Sequence, residues 1–96
     1  MLTLSEAKEW LRVSGDDNDD IISGLIDPAY DYVATATGVT GDDLYSNTLI
    51  KTVVKFLLSL WYNTEQAEAE KLQRTIDNIL KSITAMYYNN TSDSTE

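Results

Sequence analysis

Asn47-Thr48-Leu49-Ile50-Lys51-Thr52-Val53-Val54-Lys55-Phe56-Leu57-Leu58-Ser59-Leu60-Trp61-Tyr62 is the stretch that decides the fold. Wound as a helix, its apolar residues Leu49, Ile50, Val53, Val54, Phe56, Leu57, Leu58, Leu60 and Trp61 cover roughly 200° of the wheel, against the ~100° of an ordinary surface helix. The narrow polar arc carries Thr48, Lys51, Thr52, Lys55, Ser59 and Tyr62. Such a helix needs partners on most of its surface. It is expected to be the centre of the fold, or to face a second chain as well.

Working outward, three more helices provide those partners. Thr3-Leu4-Ser5-Glu6 has the form of a capping box, in which a hydroxyl and a carboxylate satisfy the orphan N–H groups of a helix start. It predicts a short first helix over Leu4 to Leu11, with Ala7, Trp10 and Leu11 on one side and Lys8, Glu9 and Arg12 solvated. The turn Gly15-Asp16-Asp17-Asn18-Asp19-Asp20 places acid where a helix dipole is positive. The second helix follows, with an apolar stripe of Ile21, Ile22, Leu25, Ile26, Ala29, Val33 and Ala36. Tyr32 falls inside that stripe and Tyr30 at its edge. Pro28 lacks the N–H that would bond the Gly24 carbonyl, so a kink is expected near Ser23-Gly24. Gly38 ends this helix. Val39 to Tyr45 reads as a connecting loop. A fourth amphipathic helix is expected from about Glu68 to Tyr87, with its stripe on Leu72, Ile76, Ile79, Leu80, Ile83, Met86 and Tyr87. Residues 89–96 contain no apolar side chain and read as a flexible tail after a single 1–88 domain. The expected fold is an all-α bundle of about four helices.

The 96 residues carry 7 basic and 16 acidic groups, for a net charge of −9. That balance argues against a general nucleic-acid binder, which needs a basic footprint. The acid is uneven: residues 1–43 hold 10 of the 16 acidic groups beside only Lys8 and Arg12, and residues 44–63 hold Lys51, Lys55 and no acid. Histidine and cysteine are both absent. Thiolate and imidazole metal sites, Ser-His-Asp triads and Cys-His dyads are therefore excluded. No run of apolar residues is long enough for a membrane span, and the N-terminus lacks the pattern of a signal peptide.

The remaining polar clusters read as ordinary surface. Asp16-x-Asn18-x-Asp20 begins like an EF-hand loop, but Ile21 and Asp27 stand where that loop needs glycine and a bidentate glutamate. An acidic helix cap is the better reading, and no metal site or other cofactor is expected. Asp27 and Asp31 lie one turn apart with nothing spaced around them to make an acid–base site. Lys51 and Lys55 lie one turn apart on the acid-free helix, as a solvated face or as a contact with a neighbouring acidic surface. Tyrosine and tryptophan are common in interfaces, which singles out Tyr62 and Tyr88.

The order of these elements resembles a known family. Leu4-Ser5-Glu6-Ala7-Lys8-Glu9-Trp10-Leu11-Arg12-Val13 is followed by Asp16-Asp17-Asn18-Asp19-Asp20. Next come Ile21-Ile22-Ser23-Gly24-Leu25-Ile26, Ala29-Tyr30-Asp31-Tyr32-Val33 and Thr37-Gly38. This is similar to the small head–tail connector (adaptor) proteins of tailed bacteriophages and prophages. The resemblance is specific over residues 2–38, looser from Leu49 to Asn63 and weakest beyond Thr64. Pro28 replaces a usual helix former, and Thr64-Glu65 stands where an Arg-Glu pair is common.

The resemblance implies an all-α structural protein without catalysis. Such proteins form a ring of identical subunits beneath the portal, extend the DNA channel, support completion of packaging and receive the next head-completion or tail protein. It implies a virion location at the head–tail junction after synthesis in the host cytoplasm. DNA would pass through without sequence-specific binding, and an acidic lining would keep phosphates from sticking. A ring contact is head to tail and uses two different surfaces. The charge asymmetry assigns these to Asp27 and Asp31 on one side and Lys51, Lys55, Ser59 and Tyr62 on the other. The tail, from Tyr88 through Asn89 and Asn90, is the expected portal-docking segment. The competing reading is an acidic helical binding module, a DNA mimic or a regulator of a basic protein. An enzyme using carboxylates is the weakest reading, for want of His, Cys and a glycine-rich phosphate loop.

Overall fold

The computed structural model describes the backbone of residues 1–62 and 66–95, and the side chains of residues 1–62 and 68–87. It contains α1 (Leu4–Leu11), α2 (Asp19–Thr37), α3 (Asp42–Ser46), α4 (Thr48–Tyr62) and α5 (Gln66–Thr95), with no strand among the described residues. The all-α expectation is met, with one helix more than the periodicity indicated. The side chains of the expected tail, 89–96, and the Thr64-Glu65 pair lie outside the described residues.

The capping box forms as expected. Glu6 N–H donates to Thr3 Oγ1 at 3.2 Å, and Thr3 N–H donates to Glu6 Oε1 at 3.1 Å. The helix ends at Arg12, whose left-handed backbone (φ 59°) lets its N–H reach back to Glu9 and Lys8. Asn47 starts α4 in a similar way, its Oδ1 accepting from Ile50 N–H at 3.0 Å. Gly38 ends α2 with φ 81°, its N–H bonded to the Ala34 carbonyl. An L side chain is strained in that conformation.

The α4 helix is the centre of the bundle. Ile50, Val53, Val54, Leu57 and Leu58 are buried, and no residue from Leu49 to Leu60 is fully exposed. It packs against α1, α2, α3 and α5. The wide apolar arc is thus largely covered within one chain.

Three details differ from the sequence reading. First, the buried face of α2 is rotated: Ile22, Ile26, Ala29, Tyr30, Val33 and Thr37 are inside, whereas Ile21 is 58% exposed and Tyr32 and Ala36 also face outward. Tyr30 moves inward because its hydroxyl finds a partner there, accepting from the buried Leu2 N–H at 2.9 Å; a buried phenol needs one. Second, Val39–Tyr45 is not a plain loop. Gly41 (φ 66°) opens α3, and Val39 and Leu44 insert into the core. Third, Met86 at the far end of the α5 stripe is exposed, while Ile76, Leu80 and Ile83 are buried. Pro28 lies inside α2, which runs continuously through it. Both Pro28 and Gly24 face solvent, so water can satisfy the carbonyl that proline leaves unbonded.

Candidate assembly surfaces

The four residues singled out on α4 recur at helical spacing and share one face. The structure brings α1 and the acidic turn down onto that face. Lys51 Nζ pairs with Glu6 Oε2 at 2.6 Å. Lys55 Nζ sits 5.7 Å from the centre of the Trp10 ring, a cation–π arrangement. Trp10 donates its indole N–H to Ser59 Oγ at 2.7 Å and packs against Phe56 with ring centres 5.7 Å apart. Asn18 Nδ2 donates to Tyr62 Oη at 2.6 Å. All four residues therefore have partners inside the chain, and only Lys55 keeps a charge not answered by a carboxylate among the described residues.

Electrostatics tightens the same corner. Lys51, first, and the Thr3 N–H hold the Glu6 carboxyl down at about 2, from an ordinary 4.5. Lys8 Nζ reaches Asp19 Oδ1 at 2.8 Å and Asp16 Oδ1 at 3.3 Å, and these bonds, Asp19 foremost, raise its pKa. The acidic turn is thus clamped to α1. Among the described residues no group of three or more acidic side chains is placed to hold a metal ion. No described helix is long and apolar enough to cross a membrane.

Asp27 and Asp31 lie elsewhere, exposed on the outer side of α2. No ion pair links them to Lys51, Lys55 or any other described cation. The side chains of Tyr88, Asn89 and Asn90 lie outside the described residues.

The sequence pattern does not show a further feature. Tyr32 and Trp61, both assigned to apolar stripes, meet edge to face at the surface with ring centres 6.1 Å apart. They are 38% and 40% exposed. Two adjoining grooves of about 570 and 480 Å³ share Tyr32 and Ala36, one running along α5 past Asp77, Leu80 and Lys81, the other along α2 past Pro28 and Asp31 to Trp61. The available signal was position: Trp61 stands two residues from Ser59, roughly 160° round the helix, so the two cannot both face α1.

The arrangement is that of a small bundle whose α1–α4 corner is closed by polar contacts, with aromatic surface exposed on two sides. No curated relative and no solved structure matches the chain. A family model does match, that of the phage gp6-like head–tail connector protein, over residues 1–96. The chain belongs to that family of structural phage proteins.

Proposed function

We propose that this chain is the subunit of a ring beneath the phage portal, which extends the channel for DNA and supports completion of packaging and tail attachment. The observation that carries the reading is the family match across residues 1–96. The partners are further copies of the chain, the portal protein and the next head-completion or tail protein. The net charge of −9 suits a channel wall that repels phosphates.

A head-to-tail ring needs two unlike faces. The acidic outer side of α2 at Asp27 and Asp31 is one. The α1–α4 corner, where Lys55 rides on Trp10 beside Lys51, Ser59 and Tyr62, is the other. The tail from Tyr88 through Asn89 and Asn90 docks into the portal.

Light scattering and negative-stain microscopy of the full chain, over a range of concentration and with and without the phage's portal protein, test the proposal. Rings that form or cap the portal support it. A chain that stays monomeric beside the portal and instead binds a basic protein tightly replaces it with the acidic-module reading. Removal of residues 89–96 weakens portal capture; full-strength capture by the truncated chain removes the docking role.

A further inference from the structure

Two exposed aromatic surfaces lie on opposite sides of the central helix. On one side Trp10, 41% exposed, is held by Ser59 and Phe56 with the Lys55 ammonium over its ring. On the other side Tyr32 lines both adjoining grooves and Trp61 the one along α2. Exposed aromatic surface of this kind marks interaction sites.

The two surfaces differ in charge. The two adjoining grooves carry Asp31 and Asp77 on their linings against, among the described residues, the single cation Lys81, and Asp27 lies one turn from Asp31 on the same exposed side of α2. The Trp10 surface carries Lys55, which pairs with no carboxylate among the described residues. Lys51 contributes nothing net, because Glu6 matches it. One surface is thus a projecting aromatic with a cationic flank, and the other an aromatic groove with an acidic rim.

We infer that the occupant of the Tyr32–Trp61 groove is a second copy of this chain, which presents its Trp10–Lys55 corner to the acidic rim at Asp31. Like surfaces would repel, so the contact is heterologous and a pair of copies keeps one free face of each kind for the next subunits. This rests on the ring reading and deepens it, since it names the contact that closes the ring. It also moves the acidic partner surface from the α2 edge alone to the groove between α2 and α5.

The chain has no cysteine, so cross-links can be placed without background. Ala36 lines both grooves, and Glu9 is exposed beside Trp10. Full-length Ala36→Cys and Glu9→Cys proteins are mixed, with the portal protein present, and treated with a short bis-maleimide. The expected product is a mixed dimer, with little product from either variant alone. The double variant gives a ladder of multimers.

A second arm uses charge. Asp31→Lys and Lys55→Glu each weaken association about tenfold at low salt, and mixing the two opposite partners' changes in one chain restores it to within about threefold. Two outcomes overturn the inference while leaving the ring reading intact. One is rings seen by microscopy without the mixed cross-link. The other is Ala36→Cys linking to itself as the main product. If microscopy shows no assembly at all, the ring reading fails and the inference fails with it.

Discussion

The indole N–H of Trp10 donates to Ser59 Oγ at 2.7 Å across 49 positions of sequence. With the Glu6–Lys51 pair, this bond ties the surface of α1 to the central helix. It also fixes the exposed face of the Trp10 ring, since Phe56 packs beside the indole and Lys55 lies over it. Ser59→Ala removes the acceptor and is expected to lower stability by about 0.5–1.5 kcal/mol. Urea unfolding followed by tryptophan fluorescence measures it, and an unchanged midpoint contradicts the assignment.

The Glu6–Lys51 pair predicts an acid-sensitive contribution. The folded-state pKa of Glu6 is depressed to about 2 from 4.5, so its contribution is present in full above the unfolded value and is lost as pH falls from about 4.5 toward 2. Glu6→Gln keeps a capping acceptor for the Thr3 N–H but not the charge. The difference in melting temperature between wild type and Glu6→Gln is expected to be largest above pH 5 and to close by pH 2. A difference independent of pH would show that the ion pair contributes nothing.

At the alkaline end, burial raises the pKa of Tyr30 above its ordinary 10.0, and Asp19 raises that of Lys8 above 10.5. Groups raised in the folded state contribute stability below their unfolded values and lose it as pH climbs through the folded ones. Thermal stability is therefore expected to decline above pH 10. Tyr30→Phe removes the phenol part of that decline. It also leaves the buried Leu2 N–H without its acceptor, which costs about 1–3 kcal/mol at neutral pH. A set of melting curves from pH 8 to 12 on both proteins reads both effects.

The rotated face of α2 is open to a direct comparison. Ile22 is fully buried and its neighbour Ile21 is 58% exposed. Ile22→Ala is expected to cost about 2–5 kcal/mol. Ile21→Ala, on the surface, is expected to stay within about 0.5 kcal/mol. Equal losses measured by chemical denaturation would restore the stripe centred on both residues.

Local chemistry was the most legible part of the fold. The Thr3/Glu6 box marks the start of α1, and the left-handed Gly38 marks the end of α2. The breadth of the α4 apolar arc correctly marked it as central. The elements that differ do so for separate reasons. Tyr30 and Tyr32 stand roughly 160° apart on the helical wheel, on opposite flanks of the stripe, and the Leu2 N–H, 28 positions away, gives Tyr30 a partner inside. The α3 helix has five residues, too few to show a period, although Gly41-Asp42-Asp43 carries a helix-start signature.

The same division holds for the candidate surfaces. Helical spacing was enough to put Lys51, Lys55, Ser59 and Tyr62 on one face, because that depends only on the pitch of α4. It left open that Glu6, Trp10 and Asn18 would occupy their polar atoms. Nor did spacing reveal that Tyr32 and Trp61 would meet at the surface. The amino-acid order alone determined the four longer helices, the capping box of α1, the Gly38 stop and the central apolar segment, since these follow from interactions within a few residues. Which polar groups are satisfied and which aromatic rings remain outside was decided by tertiary packing, because each of those contacts joins helices far apart in the chain.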